Sequence, residues 1–150
     1  MFLSTATNAI DAKGRTSVPG AFRDVVEEDA VYVWPSVHGN FLEGGDRKLM
    51  DALQAEIFER VAEGTLSVEA AQAQQMVLLG GAKRLGYDKT GRIVLPQEFR
   101  DHADLGNAAC FVGLGNRFEI WEPGAHEQRI AAARERARST RLLGNVRMAL

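Results

Sequence analysis

Two short segments of the chain carry the same chemical pattern: an aspartate, a glycine three residues later, and an arginine directly after it. The residues are Asp11, Gly14 and Arg15, then Asp88, Gly91 and Arg92. An arginine held rigidly presents a planar fork of N–H donors that fits guanine O6 and N7, or a phosphate group. The same arginine also suits an ion pair with the preceding aspartate. The two interpretations can coexist, because an aspartate can hold an arginine in the geometry that a ligand then recognises.

Further cationic side chains lie close to these segments in the sequence. Lys13 and Lys89 fall within them, and Lys83 and Arg84 precede the second one. These four are candidates for contacts with phosphates, which would make binding dependent on salt concentration.

The remaining arginines have a structural interpretation. In each segment a Phe-Arg pair follows the pattern, and its arginine (Arg23 or Arg100) is predicted to be solvated or structural. The end of the chain holds six more arginines, at 129, 134, 136, 138, 141 and 147. A solvated helix face followed by a frayed tail accounts for them.

One catalytic interpretation concerns the residues from Asp88 to Gly91, Asp-Lys-Thr-Gly, which resemble the loop in which cation-pumping ATPases phosphorylate an aspartate. The following residue is Arg92, and the first segment keeps only the aspartate, the glycine and the arginine. The three histidines share no metal-ligand motif, and Cys110 lies in an apolar run typical of a buried side chain. We therefore predict no enzymatic activity, no metal site and no cofactor.

Composition is that of an ordinary soluble protein, with 45% apolar and 25% charged residues in a chain of 150. The formal net charge of −2 gives no overall attraction to nucleic acid, so such binding must rest on local charge. A single cysteine excludes an internal disulfide and favours a reducing, cytoplasmic location. The N-terminus shows no pattern of a secretory signal, and no apolar run has the length of a membrane span.

The two segments belong to a longer internal repeat. When the chain is shifted by 77 residues, 11–24 aligns with 88–101, and seven of the 14 aligned positions are identical. Ordinary residue frequencies predict about one identity in such a window. One unit alone has too few strands to bury an apolar face, so both units are expected to share one barrel-like core about a pseudo-twofold axis. The predicted fold class is α+β.

Each unit is predicted to contain a strand, a tight turn, a second strand, a short helix after a proline, a hairpin and a longer helix. Gly14 and Gly91 follow type I turns and are expected to have positive φ. Asp46 is a predicted N-cap of a helix to about Val61, and Ser67 caps one at 68–79. A final helix is expected after Pro123.

With these residues identified, the chain resembles the MraZ family of bacterial transcriptional regulators, double-copy relatives of AbrB-type swapped-hairpin proteins. The resemblance covers nearly the whole chain, and it implies a swapped-hairpin β-barrel flanked by helices. It divides the chain into a first AbrB-like repeat (5–52), a helical linker (53–80), a second repeat (81–124), and a C-terminal helix with a basic tail (125–150). Ser4 departs from the glycine usual in the family, which concerns the first strand and not the turns.

The resemblance also implies a function: binding to short direct repeats of double-stranded DNA upstream of a division and cell-wall gene cluster that includes the protein's own gene. The protein would be a nucleoid-associated repressor that assembles into rings. The family's DNA-contacting motif corresponds to Asp11 and Arg15 and to Asp88 and Arg92, and the aspartates, with Gly14 and Gly91, would orient the loops. One alternative is an antitoxin-like protein-interaction module of the same superfamily. Another is an enzyme that uses Asp88 as a phosphoacceptor.

Overall fold

The computed structural model describes residues 1–140, which form a mixed α+β fold and confirm that fold class. The strands are β1 (Thr5–Ala9), β2 (Arg15–Ser17), β3 (Ala30–Pro35), β4 (Leu42–Gly45), β5 (Lys83–Gly86), β6 (Arg92–Val94), β7 (Ala108–Gly113) and β8 (Phe118–Trp121). The α-helices are α1 (Gly20–Arg23), α2 (Arg47–Ala62), α3 (Val68–Gln74), α4 (Gln97–His102) and α5 (Pro123–Thr140), and a π-helical turn (Gln75–Leu79) extends α3.

The two units exchange their first strands. Six strands form one antiparallel sheet in the order β1-β7-β8-β4-β3-β5. The first strand of the first unit, β1, pairs with β7 of the second unit, and β5 of the second unit pairs with β3 of the first. The two cross-unit pairings have equivalent registers. Ala9, the last residue of β1, lies opposite Ala108, the first residue of β7, and Gly86, the last residue of β5, lies opposite Ala30, the first residue of β3. Each unit therefore contributes its first strand to the edge of the sheet beside the strands of the other unit.

The second strands form a separate antiparallel ribbon, in which β2 pairs with β6. The hairpin predicted in each unit is confirmed, since β3 pairs with β4 and β7 pairs with β8. Around the first turn, β1 and β2 share a bridge between Ile10 and Thr16 and a hydrogen bond from the Asn8 side-chain amide to the Ser17 carbonyl, but no regular ladder. The ribbon corrects the predicted barrel. Since β2 and β6 pair with each other, they do not connect the ends of the larger sheet, which stays open at β1 and β5.

The apolar core is shared by both units. Phe22 and Phe99, which follow the two prolines, are 1% and 2% exposed and anchor α1 and α4 as predicted. The ring of Phe22 lies 5.4 Å from that of Phe118 and 6.2 Å from that of Phe111, both from the other unit. Burying an aromatic or aliphatic side chain of this size contributes roughly 1.5–3 kcal/mol, and here that gain needs both units.

The helices begin at the residues that the sequence predicts. The Asp46 carboxylate accepts the amide N–H of Leu49 at 3.0 Å, and the Ser67 hydroxyl accepts that of Ala70 at 3.1 Å. The second of these helices is α-helical only to Gln74, because the chain then widens into the π-helical turn. Within residues 1–140, no helix has both the length and the apolar character that crossing a membrane requires.

Candidate nucleic-acid interface

The first turn, residues 11–15, is built around the Asp11 side chain. Its Oδ1 accepts the backbone N–H groups of Lys13 at 3.0 Å and Arg15 at 2.9 Å, and its Oδ2 accepts Nε–H of Arg15 at 2.6 Å. The amide of Gly14 donates to the Asp11 carbonyl at 3.0 Å, and Gly14 has φ +86°, the left-handed conformation expected there. One carboxylate therefore holds both the turn and the side chain of the arginine that ends it.

The second turn, residues 88–92, repeats this arrangement. Asp88 Oδ1 accepts the amides of Thr90 and Arg92, each at 2.9 Å, and the Thr90 hydroxyl at 2.9 Å. Asp88 Oδ2 accepts Nε–H of Arg92 at 2.7 Å, and Gly91 has φ +79°. With both of its oxygens accepting bonds within the turn, Asp88 is occupied as a structural anchor.

These hydrogen bonds favour the ionised aspartates. The amide of Arg15 is the largest cause that lowers the pKa of Asp11, and the amide of Arg92 has the same effect on the pKa of Asp88. A carboxylate that accepts several N–H bonds loses them on protonation, so its charged form is preferred. The negative charge that orients each arginine is therefore present throughout the neutral pH range.

In each of these two arginines, part of the guanidinium's hydrogen-bonding capacity is unused. Only Nε of Arg15 and of Arg92 binds the aspartate, and neither terminal Nη group has a hydrogen-bond partner within residues 1–140. Both side chains are 36% exposed. The predicted ion pairs are therefore confirmed, and they leave free the donors that bidentate contact with a base or a phosphate requires.

The ribbon of β2 and β6 places both arginines on one face. Arg15 lies opposite Val94 and Ser17 lies opposite Arg92, while the central pair of Thr16 and Ile93 points inward. Directly opposed residues of an antiparallel pair share a face, and diagonal neighbours on it lie about 7–8 Å apart, with their Cβ atoms somewhat closer. The two arginines are such diagonal neighbours on the outer face.

Arg23 and Arg100, the arginines of the two Phe-Arg pairs, each pack against the turn of the other unit. A methyl group on Gly91 would lie 2.6 Å from Cζ of Arg23, and one on Gly14 would lie 3.0 Å from Cζ of Arg100. The sequence predicted a structural role for these arginines, but the contact itself was not foreseen. The only signal for it was their recurrence at the 77-residue offset.

Comparison with known proteins decides the family. The chain is 39% identical to the transcriptional regulator MraZ of Phenylobacterium zucineum over 140 residues, which cover 92% of this chain and 85% of that protein. It is 36% identical to the same-named regulator of Azorhizobium caulinodans over 143 residues, 93% of this chain and 88% of that protein. The chain belongs to the MraZ family.

A second comparison agrees with this assignment. The MraZ family model, described as "MraZ protein, putative antitoxin-like", matches residues 78–145 and so includes the second turn. The transcriptional regulator MraZ of Rickettsia rickettsii is 34% identical over 145 residues, which cover 95% of each chain. Both repeats of the MraZ-family chain thus lie within regions that its relatives share.

The structure separates the other predicted cations of this MraZ-family chain into two groups. Lys13 and Lys89 lie exposed in the two turns, beside the arginines. Lys83 and Arg84 lie on β5, where Lys83 pairs with Glu98 and Arg84 Nε donates to Glu28 at 3.2 Å. The hydrogen bond from Arg84 to Glu28 raises the pKa of that guanidinium. Lys83 and Arg84 are thus not brought together with the turns.

The C-terminal arginines lie on or beyond α5, which buries no side chain among the described residues. Arg138 donates to Glu135 at 2.7 Å, an exposed ion pair along the helix. Arg141 and Arg147, with the rest of the predicted basic tail, lie outside the described residues.

Proposed function

We propose that this protein is a sequence-specific DNA-binding transcriptional regulator, in which Arg15 and Arg92 contact base edges. The observation that carries the proposal is the pair of aspartate-anchored arginines on one outer face of a two-stranded ribbon. The names of its relatives, transcriptional regulators, agree with this.

The dimensions of the ribbon suit the major groove of B-DNA, which is about 12 Å wide and admits a two-stranded β-ribbon. Two diagonal arginines on residues about 7–8 Å apart span about two base-pair steps, since the rise is about 3.4 Å per step. Each free pair of Nη groups can donate to O6 and N7 of one guanine. Lys13 and Lys89 in the turns would neutralise phosphates beside the groove. Lys83 and Arg84 would contact phosphates only by leaving their acidic partners.

We further propose that the protein represses its own cell-division and cell-wall gene cluster, as a ring bound to short direct repeats upstream of it. The cross-unit pairing of β1 with β7 and of β5 with β3 supports an AbrB-like swapped-hairpin architecture. Assembly is supported by exposed apolar side chains on α2 and the π-helical turn, where Phe58 is 59% and Met76 is 75% exposed. A ring would bind several repeats at once and gain affinity through effective concentration.

The test is selection of DNA from a random pool by the purified protein, followed by sequencing of the retained fragments. We expect an enriched short motif containing guanines, and loss of that enrichment in the Arg15→Ala and Arg92→Ala variants. Arg60→Ala is the matched control, because Arg60 is an exposed arginine on α2 paired with Glu56. Retention without any enriched motif would contradict sequence-specific binding.

An antitoxin-like role is the second candidate, and the description of the matching family model favours it. In that role a segment of the chain would bind a toxin, and the protein would co-purify with a small partner from its own host. The duplication argues for DNA instead, because it places two equivalent arginines on one ribbon within one chain. Recovery of a stoichiometric protein partner together with failure of the DNA selection would establish the antitoxin role.

A further inference from the structure

We propose that Arg23 and Arg100 are positioning residues for DNA recognition, and that each holds the arginine-bearing turn of the other unit. The inference rests on the proposed function, since the turns are the surface that would contact DNA. It predicts that substitution of Arg23 or Arg100 destabilises the turn of the other unit. We call each of these two arginines, with its contacts to the other unit's turn, a brace.

The contacts of Arg23 define the first brace. Its Nε donates to the carbonyl of Val18 at 3.2 Å, within its own unit. The amide of the same Val18 donates to the carbonyl of Gly91 at 3.1 Å, in the other unit. The guanidinium thereby lies over Gly91, close enough that a methyl group there would come within 2.6 Å of Cζ and 2.7 Å of Nη1.

The second unit repeats both hydrogen bonds. Arg100 Nε donates to the carbonyl of Leu95 at 3.0 Å, and the amide of Leu95 donates to the carbonyl of Gly14 at 2.8 Å. A methyl group on Gly14 would lie 3.0 Å from Cζ of Arg100. Because both units build the same crossed contact, it is a feature of the repeated sequence rather than of one packing site.

The brace controls the direction of the arginine that contacts DNA. Gly91 directly precedes Arg92, and Gly14 directly precedes Arg15. A guanidinium packed on the glycine and tied to the adjoining strand end limits rotation of that backbone. Arg23 therefore fixes the direction of Arg92, and Arg100 fixes that of Arg15. Each turn is therefore held by an arginine of the other unit, and the two contacts act separately.

The first experiment needs no DNA: amide hydrogen exchange of the full-length protein, followed in peptides that cover each turn. In Arg23→Ala we expect exchange at 88–92 to rise by roughly three- to tenfold, as the loss of one or two hydrogen bonds implies. Exchange at 11–15 should stay unchanged in that variant, and Arg100→Ala should give the reverse pattern. Arg60→Ala should change neither turn. Equal changes in both turns, or none, would overturn the brace.

The second experiment measures DNA affinity in double variants. Arg23→Ala combined with Arg92→Ala should weaken binding by less than the product of the single effects, because the brace acts through Arg92. Arg23→Ala combined with Arg15→Ala should weaken binding by the full product of the two single effects. If both double variants lost the full product of their single-variant effects, Arg23 would contact DNA independently and would not be a positioning residue.

Arg23→Lys separates positioning from charge. Lysine keeps the positive charge but lacks the planar group and the Nε donor. We expect it to raise exchange at 88–92 as Arg23→Ala does and to leave the salt dependence of DNA binding unchanged. Normal exchange in this variant would overturn the brace. Absence of DNA binding by the unmodified protein, with the crossed exchange pattern intact, would instead refute the proposed function and leave the brace standing.

Discussion

Four glycines of the described residues share one backbone conformation but differ in surroundings, which makes alanine substitution a graded test of the turns. Their φ angles are +86° at Gly14, +79° at Gly91, +77° at Gly64 and +89° at Gly115. A methyl group at Gly64 or Gly115 would meet nothing within 4 Å. Alanine in this conformation costs roughly 1–2 kcal/mol, and the less flexible unfolded chain offsets about 0.4–1 kcal/mol of that cost.

At the turns, contacts add to this conformational cost. A methyl group on Gly14 would lie 2.7 Å from the Leu95 carbonyl oxygen, a backbone atom that also accepts from Arg100. Relief requires separating the two units here and losing about two hydrogen bonds of about 1 kcal/mol each. We therefore expect Gly14→Ala to cost about 3 kcal/mol. Gly91→Ala displaces the guanidinium of Arg23 rather than a backbone atom, and costs its one hydrogen bond to Val18, so we expect about 2 kcal/mol.

The assay is urea unfolding followed by the fluorescence of the two tryptophans, at one fixed protein concentration because assembly shifts apparent stability. The expected order of destabilisation is Gly14→Ala, then Gly91→Ala, then Gly115→Ala and Gly64→Ala together. If Gly14→Ala were no more costly than Gly115→Ala, the cross-unit contact at the first turn would contribute nothing and the reasoning would fail.

Three further predictions follow from single residues. Ser4 has φ +75° without being glycine, so Ser4→Gly should raise the free energy of unfolding by about 0.5 kcal/mol, and a loss of stability in urea would contradict this. The Thr16 hydroxyl is buried without a partner among the described residues, so Thr16→Val should stabilise the protein by up to about 1 kcal/mol; a clear decrease in melting temperature would show that the hydroxyl is bonded. The pKa values of Asp11 and Asp88 are lowered, so their stabilising effect is complete above the ordinary carboxyl pKa of about 3.9 and disappears only as the pH falls through the lower folded values. Carboxyl carbon NMR shifts should accordingly show both groups more ionised at pH 4 than a free aspartate, and titration of either at its ordinary pKa would refute the hydrogen-bond assignment.

Local features of the structure could be predicted from the sequence. The positive φ of Gly14 and Gly91 follows from the turn pattern, and the starts of α2 and α3 follow from the capping residues Asp46 and Ser67. Such features depend on neighbours within four residues, which the sequence displays directly. The departure at Ser4 was also visible, since a family glycine at that position indicates a backbone that favours glycine. The strand that follows it, β1, still pairs along its whole length with β7.

Long-range partners could not be predicted in the same way. The turn pattern predicts two strands joined by a tight turn, but it does not indicate that the second strand, β2, pairs with β6. The two units bring these equivalent strands together on the pseudo-twofold axis at Thr16 and Ile93. The open edges of the sheet follow from the same exchange. The braces by Arg23 and Arg100 also join residues far apart in the sequence, so no local spacing indicates them.

At the candidate site, the sequence predicted the two anchored turns but not which of the nearby cations lie beside them. Both arginines, both aspartates and both turn lysines lie where the pattern placed them. Nearness in sequence predicts that Lys83 and Arg84 join them, but in the structure both lie on an extended strand and pair with acidic side chains outside the turns. Nearness along a strand is a weak guide, since each residue advances the chain by about 3.3 Å.

The most direct test of the central claim is to measure thermal melting and DNA titration on the same sample of the Arg15→Ala, Arg92→Ala double variant. The titrations use the selected duplex and a scrambled duplex of equal length. Our account predicts that the variant melts close to the unmodified protein, because the Asp11 and Asp88 turns keep their backbone hydrogen bonds. It also predicts a loss of discrimination between the duplexes of about 1–3 kcal/mol for each guanine contact removed. Early melting with full discrimination retained would contradict the account, since the arginines would then be structural and the DNA sequence would be recognised elsewhere.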